Sequence, residues 1–143
     1  MAIPKDDGTE RFLGILCLKD RMVQQAVGEI LSRIYESDFQ GFSYGFRRGR
    51  SQHSALDALT VGLLRRKVNR VLDLDVSQFF DRVDHNWMLR FLHHRVGDPR
   101  IVRWVRQWLD VGHLDDAGRR RRAKQGTPQR AVISPLLANV DLH

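Results

Sequence analysis

One cysteine, Cys17, is all the chain carries. A lone thiol excludes an internal disulfide and leaves no thiolate set for a zinc site. Long apolar runs are missing too. Nothing approaches the roughly 18–20 apolar residues of a membrane helix, so no membrane partner is expected. The opening Met1-Ala2-Ile3-Pro4-Lys5-Asp6-Asp7 lacks the apolar core of a signal peptide, which makes the cytoplasm the expected compartment. Internal repeats and low-complexity linkers are absent. The six histidines (His53, His85, His93, His94, His113 and His143) form no ligand pattern. On a helix His93 and His94 point about 100° apart and do not converge on one ion. Acidic residues are in short supply: seventeen Asp and Glu face twenty-four Lys and Arg, a formal charge of +7. Arginine dominates that excess, and its planar, permanently charged fork suits phosphate. The balance points to nucleic acid or another polyanion, although basic soluble proteins of other kinds share it.

What is present fits one globular domain or a piece of a larger one, with 143 residues of which 42% are hydrophobic and 29% charged. Asp7-Gly8 is a good reversal, and Arg11–Leu16 fits a short strand. From about Leu18 to Tyr35, Met22, Val23, Ala26, Val27, Ile30, Leu31 and Ile34 follow helical spacing. Phe42–Phe46 is a glycine-punctuated loop or short strand leading to Arg47-Arg48-Gly49-Arg50. Ser51 is a plausible N-cap for a helix to about Val68, with Ala55, Leu56, Leu59, Leu63 and Leu64 turned inward. Arg65-Arg66-Lys67 falls in its last turn, where cations complement the helix dipole without any ligand.

Val71–Val76 alternates apolar and acidic residues and reads as a strand. Helices are expected over 84–95 and 98–111. The first presents Trp87, Leu89 and Phe91, and the second Ile101, Trp104, Val105 and Trp108, as core or domain-contact residues. A hairpin-like stretch turns at Asp116-Ala117-Gly118. A last helix starts at about Ser134.

Asp73 and Asp75 lie two apart, on one face of the expected strand. Two like charges side by side are costly unless a cation or a base neutralises them. Carboxylates at a strand end can hold Mg²⁺, which takes one or two of them plus phosphates and water. An arginine partner and no metal accounts for the same spacing.

The stretch Leu72-Asp73-Leu74-Asp75-Val76-Ser77-Gln78-Phe79-Phe80-Asp81-Arg82-Val83-Asp84-His85 resembles the first catalytic block of group II intron reverse transcriptases. Gly14–Ala26 resembles that family's early fingers block, and Phe42–Ser51 the next. Gly126-Thr127-Pro128-Gln129 through Ile133–Asn139 resembles the block that opens the palm helix. The four blocks stand in the family's order and cover nearly the whole chain.

The resemblance implies an α+β, helix-rich fold: the fingers (1–70) and an incomplete palm (71–143) of a right-hand polymerase. It implies RNA-directed DNA synthesis, with an RNA template or intron RNA and dNTPs as partners and Mg²⁺ as cofactor. Asp75 would be the first of three catalytic aspartates, bridging two metal ions, with the Val76 carbonyl on the second ion. Phe80 would pack under the nucleotide sugar and reject a ribose 2′-hydroxyl, while its neighbour Phe79 belongs to the core. Lys5 and Arg11 would clamp the triphosphate, and Gln129 would bond near nucleotide or template. Arg47, Arg48 and Arg50 would line the template path through phosphate contacts.

The sequence also departs from the family pattern. Arg130-Ala131 replaces the usual Gly-Gly, Arg11-Phe12 an Arg-Pro, Ile15-Leu16-Cys17 an Ile-Pro-Thr, and Arg47-Arg48-Gly49 an Arg-Pro-Gly. Asp141 replaces an aromatic and would put a charge on a face that should pack. The family's Tyr-Ala-Asp-Asp hairpin, thumb, RNA-binding region and N-terminal extension are not among these residues. The expectation is therefore a chain inactive alone: a truncated reverse transcriptase, a non-catalytic RNA-binding fragment, or a decayed product that folds poorly. A complementing downstream chain could supply the missing carboxylates.

Overall fold

The computed structural model describes residues 2–4, 10–12, 17–114, 120–121, 125–127 and 131–143. Ten short elements follow one another: β1 (Ala2–Pro4), β2 (Glu10–Phe12), α1 (Leu18–Tyr35), α2 (Gln52–Arg65), α3 (Phe79–Arg82), α4 (His85–Arg95), α5 (Pro99–Asp110), β3 (His113–Leu114), β4 (Arg120–Arg121) and α6 (Ser134–Leu142). The described residues are helix-rich. β1 and β2 pair antiparallel, Ile3 opposite Arg11, with the expected turn residues Asp7-Gly8 between them in sequence; β3 and β4 pair likewise, with the expected turn residues Asp116-Ala117-Gly118 between them in sequence. Both sets of turn residues lie outside the described residues, as do 13–16 of the first expected strand.

The helix starts follow from their caps. Ser51 accepts from the Ser54 amide, Asp84 from those of Asn86 and Trp87, and Asp98 from that of Arg100. Each capping oxygen satisfies amides that a helix start leaves unpaired, typically stabilising it by about 1 kcal/mol. Pro99 fits the first turn of α5, where its missing N–H costs nothing.

Four helices build the core. α1 contributes Val27, Leu31 and Tyr35, α4 Met88, Leu89 and Leu92, α5 Val102, Val105 and Leu109, and α6 Leu136, Leu137 and Val140; Phe39, Val83, Val96 and Ile133 complete it. Phe79 packs against this cluster, as its core reading requires. The core draws on both sides of residue 70. Tyr35 adds a polar tie by donating to the Phe91 carbonyl at 3.2 Å, and burial, ahead of the nearby Asp38, pushes its phenol pKa up to about 12. Arg95 grips Asp38 through two bonds of 2.7 and 3.0 Å, joining the end of α4 to the turn after α1.

Two expectations fail, each for want of a packing partner among the described residues. Val71–Val76 is no strand: it has no paired neighbour, and Leu72, Leu74 and Val76 lie exposed. An alternating pattern specifies a strand only where another strand satisfies its backbone. The α2 helix forms where its spacing places it, yet buries no residue; Leu56, Leu59, Leu63 and Leu64 face outward. Trp87, Phe91 and Trp104 are exposed as well. In α1 the inward face runs through Gln24, Val27, Leu31 and Tyr35, leaving Met22, Val23 and Ile30 exposed on the other side.

Candidate functional site

Two distant stretches meet at the centre of the molecule. The Gly126 amide donates to the Val83 carbonyl and the Thr127 amide to the Phe80 carbonyl, both at 2.7 Å. Gly126 stands at φ +84, and a Cβ there would fall 2.8 Å from the Asp81 carbonyl oxygen. Only glycine permits this approach, which brings the Gly126-Thr127 turn against α3. His85, buried, closes the junction with its Nε2 2.6 Å from the Gly126 carbonyl oxygen. On the other side the Val132 amide donates to Gln24 Oε1 at 3.1 Å, tying the chain after the turn to α1. The Thr127 hydroxyl and the Gln24 side-chain amide nitrogen are buried without a hydrogen-bond partner among the described residues.

Phe80 sits on this junction. It follows Gln78, which takes a left-handed turn at φ 55, and its ring meets Phe79 edge-on with centroids 5.5 Å apart. Phe79 points to the core, and Phe80 is left exposed beside the turn. Upstream, Asp73, Asp75 and Val76 lie on the exposed extended segment. No three His, Cys, Asp or Glu side chains gather into a metal-holding group among the described residues. One carboxylate and one backbone carbonyl at Asp75-Val76 are fewer donors than a two-ion centre takes. The described residues do not fit that centre by themselves, and no step is derived through Mg²⁺.

The basic loop before α2 divides its arginines by task. Arg47, expected on the template path, is a buried structural staple instead. Its guanidinium holds Glu36 at 2.7 and 3.3 Å and donates to the carbonyls of Gln40 (2.7 Å) and Ser43 (2.9 Å). It also lies over the Phe39 ring, 5.3 Å from the centroid. Four of its five N–H donors are thereby engaged. The Arg47 hydrogen bond and charge hold the Glu36 carboxyl below its ordinary range. Arg48 and Arg50 are exposed, Arg48 3.5 Å from Glu29 and Arg50 bonded to the Gly41 carbonyl and lying over Tyr44. Asn139 of α6 donates to the Gly45 carbonyl at 2.8 Å and anchors the loop to the core. Near the end of α6, burial and then the charge of Asp84 raise the Asp141 pKa. Lys5 and Gln129 lie outside the described residues, and Arg11 stands in β2.

The sequence model of the reverse transcriptase (RNA-dependent DNA polymerase) family matches residues 3–143. The chain belongs to the reverse transcriptase family. Within it, the similarity runs to group II intron-encoded proteins. Protein YkfC of Escherichia coli (strain K12) is 40% identical over 144 residues, covering 99% of this chain and 38% of that protein. Group II intron-encoded protein LtrA of Lactococcus lactis subsp. cremoris is 32% identical over 142 residues, covering 97% of the chain and 23% of LtrA. An uncharacterized 91 kDa protein in the cob intron of Schizosaccharomyces pombe (strain 972 / ATCC 24843) is 34% identical over 141 residues, 17% of its own length. The chain thus spans well under half of each of these relatives.

In this reverse transcriptase chain the structure joins the carboxylate-bearing block, through Phe80–Val83, to the block that opens the last helix. It does not bring Asp75 to a second carboxylate among the described residues. Sequence reasoning missed Gln24 and His85. Gln24 falls in step with Val27 and Leu31, a polar residue on the face that packs. His85 directly follows the Asp84 cap as the first residue of α4.

Proposed function

We propose that this chain is the template- and nucleotide-facing part of an RNA-directed DNA polymerase, with residues 1–70 on the fingers side and 71–143 on the palm side of a right-hand, α+β architecture. The observation that carries this reading is the junction of Phe80–Val83 with Gly126-Thr127. It brings Phe80 beside the turn that precedes Gln129 in the sequence, which supports reading the two as sequence-distant contacts for one nucleotide. Phe80 selects the deoxyribose by bulk, and Gln129 bonds near nucleotide or template. Lys5 and Arg11 contact the triphosphate, and Arg48 and Arg50 take template phosphates. Arg47 supports the loop that carries them. In the whole enzyme Asp75 and the Val76 carbonyl contribute to a divalent-metal centre whose remaining carboxylates come from outside these residues.

By itself the chain binds RNA and does not extend a primer. The exposed arginines of the basic loop, and the absence among the described residues of a third carboxylate beside Asp73 and Asp75, favour this over an active polymerase. A titration of a primer–template RNA at two salt concentrations tests it. Each phosphate neutralised contributes a log–log salt slope of about −0.9 on duplex and −0.7 on single strands. Replacing Arg48 and Arg50 by Ala together should flatten the slope by about 1.4–1.8. Absence of binding at low salt refutes the reading.

A further inference from the structure

We propose that His85 is a positioning residue: it locks the Gly126-Thr127 peptide against α3 and so fixes the distance between this turn and Phe80. The functional meaning of that distance rests on the reading of Phe80 and Gln129 given above.

His85 is the first residue of α4, held by the Asp84 cap, and it is 9% exposed. A carbonyl oxygen only accepts, so at 2.6 Å from the Gly126 oxygen the ring's Nε2 carries the hydrogen. The other nitrogen, Nδ1, lies 3.8 Å from Asp110 Oδ1 on the last residue of α5, too far for a hydrogen bond. One side chain thus connects the start of α4 to the turn.

The two groups of the Gly126–Thr127 peptide are pinned on opposite sides. Its N–H, from Thr127, donates to the Phe80 carbonyl, and its C=O, from Gly126, accepts from His85. The peptide is planar, so both bonds break together if it flips. Glycine at φ +84 leaves such a flip sterically easy, because no Cβ restrains it. Without His85 one backbone bond from Thr127 would have to set the peptide alone, and a buried carbonyl would lose its donor.

Amide hydrogen exchange on the whole chain tests the proposal with His85→Phe, which keeps the bulk and removes the donor, and His85→Gln, whose Nε2 can replace that of the ring. The Phe variant should speed exchange at Thr127 and Gly126 by about ten-fold or more, with Leu31, Leu92 and Leu109 little changed. The Gln variant should return both amides to within about three-fold of the parent. Unchanged exchange at Thr127 in the Phe variant overturns the proposal. Equal acceleration throughout the core helices does so too, as does failure of Gln to restore protection, because each marks packing alone. A second readout needs no variant: nitrogen NMR of the imidazole should show the neutral ring protonated at Nε2, and an Nδ1–H ring contradicts the clamp. None of these measurements involves nucleic acid. A clamp that holds in a chain that binds no RNA would refute the functional reading and leave the role of His85 standing.

Discussion

Arg47 and Arg48 are neighbours with opposite surroundings. Arg47 is buried among Glu36, Phe39 and two carbonyls, whereas Arg48 is exposed beside Glu29. Arg47→Ala leaves the Gln40 and Ser43 carbonyls without their donor and should cost about 2–4 kcal/mol. Arg48→Ala should stay within about 0.5 kcal/mol, because a surface pair of this kind contributes little. Urea midpoints of the two variants check the contrast; equal losses would remove Arg47 from its structural role. The family resemblance treats all three arginines alike as template contacts, because a matched motif carries their charge and not their burial. What separates them is the left-handed turn at Phe46, which directs Arg47 back to Glu36, and nothing in the composition of that turn announces it. Phe79 and Phe80 show the opposite case. The resemblance assigns Phe79 to the core, and the structure packs it against the core cluster while Phe80 stays exposed.

Capping and spacing carried most of the elements. Ser51, Asp84 and Asp98 mark helix starts in the sequence, and α1, α4, α5 and α6 lie where their apolar periods put them. The partners of the elements were not legible. A period of 3.6 tells which side of α2 is apolar without telling whether anything covers it, and an alternating stretch at 71–76 does not supply the strand it needs. Substitutions should separate the two kinds of apolar residue. Leu92→Ala, in the core, should cost about 2–5 kcal/mol. Leu74→Ser and Leu59→Gln, both exposed, should move stability by less than about 0.5 kcal/mol. A Leu59 or Leu74 variant as damaging as Leu92→Ala would mean that these faces are packed in solution. The junction itself depends on one glycine. Gly126→Ala meets both an unfavourable φ and the Asp81 carbonyl, and should destabilise by more than about 1 kcal/mol. Denaturation midpoints measure it, and a neutral result would contradict the close approach.

For the molecule as a whole, charge placement sets the response to pH. The Glu36 and Asp38 carboxyls are held low chiefly by hydrogen bonds from Arg47 and Arg95. Each contributes stability that is present above its ordinary pKa and lost as pH falls through the lowered one. Asp141 acts the other way. Its pKa is raised by burial, so its ionised form weakens the fold above the raised value, and the penalty fades as pH drops towards and below the ordinary 3.8. Asp141→Asn should therefore raise the melting temperature at neutral pH and lose that advantage at about pH 3. An advantage that grew on acidification would reverse the assignment.

No helix among the described residues is long and apolar enough to cross a membrane. What they do hold is a four-helix core, a basic loop fastened to it, the junction of Phe80–Val83 with Gly126-Thr127, and two carboxylates, Asp73 and Asp75, on a segment without a strand partner. These parts belong to the reverse transcriptase family, and alone they are expected not to synthesise DNA. Primer extension with the purified chain, Mg²⁺, an RNA template, a DNA primer and dNTPs tests this directly. The primer should stay at its starting length, with Asp75→Asn indistinguishable from the parent. Extension products that disappear in the Asp75→Asn variant would contradict the claim.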